Sequence, residues 1–145
     1  MVEVFSAQVS AQVRMVDRRL KATLQQSAQR VIQEAQRPRP SGRMPVVTGF
    51  LRHSGQISIK SLTSFGDAPQ VRGATRGAKK GSYAWDQADV VAKIARTEPG
   101  DLVFFGWTAA YARRMEAMYG FQRGAVEKWQ SIVAEEGHRA RELIK

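Results

Sequence analysis

A long amphipathic helix at the N-terminus constrains the fold of this chain more than any other feature. From about Ser6 to Gln36, apolar or small residues recur at steps of three or four, the spacing of one face of an α-helix. This stripe consists of Val9, Val13, Val16, Leu20, Leu24, Ala28, Val31 and Ala35. Ser6 is the expected N-cap, and Pro38 and Pro40 end the helix because proline lacks the amide donor. At ~1.5 Å per residue the helix is about 40 Å long or longer. It either spans its own domain or projects and packs on a neighbour.

The C-terminal part of the chain predicts a strand followed by helices. Leu102–Trp107 is an apolar run rich in aromatic residues, typical of a buried strand. Ala109–Met118 predicts a short helix that Gly120 ends, and Phe121–Ile144 predicts a closing helix. Gly137 weakens the middle of that helix by about 1 kcal/mol relative to alanine, so its last turns are expected to fray or bend.

Two further strands are predicted in the middle of the chain. Ile57 and Ile59 alternate with polar residues, and Val90–Arg96 is expected to form a hairpin with Leu102–Trp107. The predicted fold class is therefore α+β: an antiparallel sheet of three or more strands, packed by a long N-terminal helix and a C-terminal helix, with a long exposed loop. We expect a single domain, 1–145: helix 1–36, loop and short helix 37–55, strands 56–107 with a long basic loop 63–89, and helices 108–145.

The charge of the chain is strongly basic and unevenly distributed. The 145 residues carry a net charge of +10, which favours acidic partners such as nucleic acid or acidic protein surfaces. Two segments without acidic residues hold much of the excess. The first contains Arg37, Arg39, Arg43 and Arg52, and the second contains Arg72, Arg76, Lys79 and Lys80. These segments are either contact surfaces or the product of solubility and chance.

No pattern in the sequence predicts catalysis. There are no cysteines and two distant histidines, so neither a disulfide nor a metal site is expected. The glycines of the basic loop are too closely spaced for a phosphate-binding loop. Glu135 and Glu136 are expected to face solvent, and Asp86 and Asp89 to act as caps or in turns. We therefore expect a non-enzyme with no cofactor, no secretory signal and no membrane span.

One segment resembles a known family of bacteriophage proteins. Pro45–Ser54 reads PVVTGFLRHS. It is similar to the P-V-D-T-G-x-L-R-x-S signature that follows a long N-terminal helix in the neck and tail-completion family of long-tailed phages. The residues that match in this chain include Thr48, Gly49, Leu51 and Arg52. Val47 departs from the pattern because it replaces the usual aspartate, so the resemblance implies no loop-fixing bond from that carboxylate.

A second segment, Val103–Gly120, is similar to the late strand and the following turn of the same family. The matching features are an aromatic run, the pair Tyr111-Ala112, and Glu116, Tyr119 and Gly120 in place of the family's E-Y-G, with two additional residues between. The start of the closing helix also looks familiar at Arg123 and Ala125. The basic loop before Val90 is longer than in the family pattern.

The resemblance implies a structural virion protein made in the host cytoplasm. Such proteins resemble one another in forming rings, often of six copies, at the head–tail junction, where they complete or terminate the tail tube. The implied partners are copies of the same chain, neighbouring neck and tail-tube proteins, and DNA passing through the lumen without sequence preference. The candidate subunit or lumen contacts are Arg72, Arg76, Lys79, Lys80, Arg37, Arg39 and Arg43.

A second function remains open beside this one. The same basic segments, with Tyr83 and Trp85 near the end of the loop, are compatible with a cytosolic nucleic-acid-binding module in which these aromatic rings stack on bases. The alternative for both rings is packing beside a strand. Tight binding of free DNA or RNA with a steep salt dependence would favour the nucleic-acid module.

Overall fold

The computed structural model describes residues 2–60 and 83–145, and this part of the protein is mainly helical. The elements in order are α1 (Val2–Ala35), α2 (Phe50–His53), β1 (Gly55–Ile59), α3 (Gln87–Ile94), β2 (Val103–Trp107), α4 (Ala112–Tyr119), α5 (Phe121–Glu127) and α6 (Trp129–Leu143). The predicted sheet of three or more strands is wrong, because the described residues form a two-stranded antiparallel sheet. The long N-terminal helix and a C-terminal helix agree with the prediction. None of the helices in the described ranges has the length and hydropathy to cross a bilayer.

The N-terminal helix begins before the start that its apolar periodicity predicted. α1 contains 34 residues and begins at Val2, so Ser6 is a helical residue and its prediction as N-cap is wrong. The C-terminal end agrees with the proline signal, since the helix ends at Ala35 and Pro38 follows in an isolated bridge with Met44. A helix of this length extends about 50 Å at 1.5 Å per residue.

The predicted second strand is a helix. Val90–Arg96 lies largely in α3, which Asp86 caps by accepting a hydrogen bond from the amide of Ala88 at 3.0 Å. Val90 and Ile94 are one turn apart and both are buried. The β-branched residues favoured a strand, but the cap and the spacing of four stabilise a helix. The end of the predicted loop 63–89 belongs to this same helix.

The predicted third strand is confirmed as β2, but its partner differs from the expected one. β2 pairs with β1 in an antiparallel register that runs from Gly55 opposite Trp107 to Ile59 opposite Val103. The predicted hairpin between Val90–Arg96 and Leu102–Trp107 is therefore wrong. On the inner side, Ile57 of β1 packs with Ile32 of α1 and with the buried residues of α3.

The predicted closing helix is two helices. A break at Lys128 separates α5 from α6, and α6 then runs antiparallel along α1. The register is fixed at one end by a contact between Lys128 and Glu34 and at the other by Arg19, whose Nε donates to the carbonyl oxygen of Ile144 at 2.8 Å. α6 continues through Gly137 to Leu143, so the expected bend there is not seen.

A second apolar cluster holds the loops between the helices. Its buried members are Met44, Phe50, Leu51, Ala109 and Phe121. Trp107 of β2 meets the ring of Phe121 edge-on, with 4.8 Å between the ring centroids. The cluster therefore joins α2, β2 and the start of α5 into one body.

Candidate functional site

The first half of α1 lies beyond the rest of the described protein. The apolar residues that the sequence assigned to a core-facing stripe are exposed there. We call Phe5, Val9, Val13, Val16 and Leu20 the ridge; their exposed fractions are 68%, 45%, 60%, 47% and 55%. Val16 and Leu20, the last two residues of the ridge, lie beside α6, where they line a shallow cavity with Val133 and Gly137.

The surface around the ridge is poor in charge. Residues 4–13 contain no charged side chain, although a quarter of the chain is charged. Serine, glutamine and alanine occupy the positions between the apolar residues of this segment. Depletion of charge around exposed apolar residues is a composition typical of protein interfaces.

An apolar groove lies beside the second half of α1. Its cavity volume is about 390 Å³, and its walls are formed by α1 from Leu24 to Ala35, by β2 and by the start of α5. Among the described residues, Asp101 is the one charged residue that lines it. Leu102, Val126 and Trp129 stand at the groove with exposed fractions of 62%, 60% and 41%. We call this feature the groove.

The ridge and the groove share one helix face. Leu20, the last residue of the ridge, is followed one turn later by Leu24, which lines the groove. The apolar stripe predicted from sequence is therefore real, but its N-terminal half is exposed and its C-terminal half forms a groove wall. The prediction of a projecting helix is the alternative that fits this arrangement.

The first family-like segment forms a tight turn that packs into the second apolar cluster. Gly49 has φ 86°, and a Cβ atom there would lie 2.3 Å from the carbonyl oxygen of Tyr83. Thr48 accepts the amide hydrogen of Phe50 at 3.3 Å, and Leu51 is buried in the second cluster. Val47 is exposed, at the position where the family pattern has aspartate.

Arg52 connects this segment to the end of α1 through Gln36. The Nε of Arg52 donates to the carbonyl oxygen of Gln36, and the side-chain amide of Gln36 donates to the carbonyl oxygen of Arg52, both at 2.8 Å. Trp107 donates its indole hydrogen to the same Gln36 side chain at 2.8 Å. Burial lowers the pKa of Arg52, whose guanidinium also lies 5.3 Å from the centre of the Trp85 ring. Gln36 is fully buried and was not singled out from sequence, because a lone glutamine at a helix end has no distinctive pattern.

The second family-like segment forms the junction between α4 and α5. Gly120 has φ 66° and separates the two helices. The carboxylate of Glu116 accepts the amide hydrogens of Gln122 at 2.8 Å and Arg123 at 3.0 Å, so it caps α5. Tyr111 packs against Phe50, and its burial raises its pKa.

The first basic segment lies against this junction. Arg39 is placed over the ring of Tyr119, 4.8 Å from its centre, and Arg43 donates to the carbonyl oxygen of Gly120 at 3.4 Å. Arg37 pairs with Glu34 at 2.7 Å. These three arginines therefore hold the loop after α1 on its own chain, and their role as DNA or subunit contacts stays a prediction.

The second basic segment, with Arg72, Arg76, Lys79 and Lys80, lies outside the described residues, and its predicted role also stays a prediction. The aromatic residues that follow it are described. Tyr83 meets Phe50 edge-on, with ring centroids 5.2 Å apart, and Trp85 packs against the first core cluster. Both rings are used in packing, which does not favour base stacking.

Several acidic residues of the described chain have structural partners. Glu136 is buried, which corrects the expectation that it faces solvent, and it pairs with Arg30 at 2.8 Å. Hydrogen bonds from Arg30 to Glu135 and Glu136 raise the pKa of Arg30. Asp86 caps α3 as predicted, and Asp89 pairs with Lys93. Across residues 2–60 and 83–145, no three His, Asp or Glu side chains are grouped so as to hold a metal ion.

Comparisons of the chain with protein families, curated proteins and solved structures find no match.

Proposed function

We propose that this chain is a structural subunit of a bacteriophage virion that assembles with copies of itself into a ring at the head–tail junction. The observation that carries the proposal is the ridge: a row of exposed apolar side chains on the first half of α1, of which residues 4–13 carry no charge. A monomer in water gains nothing from such a row, whereas an assembling subunit buries it against a neighbour.

The geometry of the two family-like segments adds support. Their residues meet around Phe50, Tyr111 and the α4–α5 junction, and loops that are distant in sequence are held together there. The segment with Gly49 and Arg52 is also bonded directly to the end of α1 through Gln36. A subunit built in this way presents its projecting helix from a fixed base, which suits repeated identical contacts.

The ring requires a contact that joins unlike surfaces of neighbouring copies. A head-to-tail contact of this kind closes into a ring when the rotation per subunit divides a full turn. The basic segment with Arg72 and Lys80 then faces either the DNA in the lumen or an acidic neighbouring ring.

Electron microscopy of particles that lack this protein tests the function. We expect heads and tails that fail to join, or tails of abnormal length, because the junction is incomplete. Replacing Arg72, Arg76, Lys79 and Lys80 with Glu should impair joining while leaving the purified chain folded, as measured by circular dichroism. Normal virions without the protein would overturn the proposed function. Normal joining by the charge variant would overturn only the role of these four residues.

A further inference from the structure

We propose that the ridge of one copy binds in the groove of a second copy of this chain. The inference rests on the proposed function and names the contact through which the subunits associate. Both surfaces are apolar, both are exposed in the monomer, and both belong to the same face of α1.

The contact must form between two molecules, because the ridge cannot reach the groove of its own chain. Val9 and Leu24 lie on one continuous helix, and the groove wall is the continuation of the ridge. The distance along the helix from Val9 to Leu24 is about 22 Å at 1.5 Å per residue. No bend of the described chain brings one end of a continuous helix against its own side.

The two surfaces match in chemistry over the N-terminal part of the ridge. Residues 4–13 carry no charge, and among the described residues Asp101 is the one charged side chain that lines the groove. Asp101 accepts the amide hydrogen of Glu98 at 2.8 Å and lies 3.9 Å from the ammonium group of Lys60. An apolar helix face seated in an apolar groove is a recurring mode of recognition, with anchors three or four residues apart.

Filling the groove also covers more apolar surface than pairing two ridges. Ridge-to-ridge pairing would leave Leu102, Val126 and Trp129 in water on both copies. The contact between ridge and groove covers both sets of residues at once, and burial of apolar area is the main source of association free energy. Segment 61–82 of the same chain is a poor occupant by composition, because Leu62, Phe65 and Val71 are its only large apolar residues.

Cysteine cross-linking tests the contact directly, because the natural chain has no cysteine. Val9→Cys, Val13→Cys and Val16→Cys each place one thiol on the ridge, and Val126→Cys places one at the groove. We expect at least one ridge variant to form an intersubunit disulfide with Val126→Cys when the two are mixed. Val47→Cys is the matched control at an exposed valine away from both surfaces and should not react with the ridge variants.

Two results would overturn the inference. One is cross-linking of the ridge variants with each other but not with Val126→Cys. This result indicates ridge-to-ridge pairing. The other is protection of the thiol of the Val126→Cys variant from a small maleimide in the monomer. This result indicates that segment 61–82 fills the groove.

A complementation experiment gives an independent readout. V9D/V13D and V126D should each raise the dissociation constant of self-association by more than about 100-fold, because a carboxylate would be buried in an apolar contact. V47D is the control and should leave the constant unchanged. A mixture of V9D/V13D with V126D should form 1:1 pairs, since one intact ridge and one intact groove remain. Failure of the mixture to associate while each variant stays folded would contradict the contact.

The outcomes separate this inference from the proposed function. The double variant V9C/V126C carries a thiol on both surfaces, so cross-linking can extend through a whole ring. Cross-linked species of this variant that stop at two copies keep the contact between ridge and groove and reject the ring. A ring in virions without these cross-links keeps the function and rejects the contact.

Discussion

Two glycines of this protein should respond in opposite ways to the same substitution. Gly49→Ala should destabilise the fold by more than about 1 kcal/mol, since the backbone has φ 86° and the new methyl group would meet the carbonyl oxygen of Tyr83 at 2.3 Å. Gly137→Ala should stabilise it by about 1 kcal/mol, because α6 is regular there. The nearest atom to its added methyl group is the γ-methyl of Thr23 at 3.9 Å.

Urea unfolding of the two variants beside the natural chain measures both changes. The measurement is made below the concentration at which copies associate, so that assembly does not add to stability. A stabilising Gly49→Ala would show that the turn before α2 differs from the structure.

At the scale of single residues, a local helix cap could be predicted from sequence, whereas buried polar partners could not. The role of Asp86 follows from local chemistry, since the start of a helix favours a side chain that accepts its free amide hydrogens. The positions of Gln36 and Glu136 depend on elements far along the chain. Glu136 becomes buried only because α6 lies along α1 and brings it to Arg30.

The ridge half of α1 should gain helix as copies associate. An isolated helical segment of this length is marginal in water unless its apolar face is packed. We therefore expect the circular dichroism signal at 222 nm, per residue, to increase with protein concentration. V9D/V13D should remove this dependence, whereas V47D should retain it. A signal that is independent of concentration in the natural chain, across the range in which particle sizing shows association, would mean that the ridge is not packed on binding.

At the scale of elements, periodicity predicted the helices well and failed where two patterns competed. Val90-Val91 favoured a strand by propensity, but Val90 and Ile94 also have helical spacing, and tertiary packing on Ile57 selects the helix. Neither glycine nor proline occurs at the break at Lys128, so the sequence carries no helix-breaking signal there. Both α5 and α6 contact α1, and Phe121 at the start of α5 also contacts Trp107 of β2.

We expect copies of the protein to associate with each other through apolar contacts and to bind DNA through basic side chains. Salt separates these two behaviours. Between low and high sodium chloride, we expect binding to free DNA to weaken steeply, because counterions are released from phosphates. Self-association should persist, since burial of apolar surface does not weaken as salt screens charges.

Particle sizing and a gel-shift series at the same salt concentrations make this measurement. Tight DNA binding by a chain that stays monomeric throughout would favour the nucleic-acid-binding module instead. The net charge of the sequence predicted acidic partners. Whether the apolar stripe of α1 is covered depends on where α6 ends, and the sequence did not predict that position.

Because α1 is one continuous helix, its length can set the distance between neighbouring subunits. One end is anchored through Gln36 to Arg52 of α2, and the other carries the ridge. If a neighbour holds that far end, the separation of successive copies is set by the number of residues between anchor and ridge. Removing seven residues from this interval would shorten the separation by about 10 Å. The length of this one helix would therefore determine the diameter of an assembly.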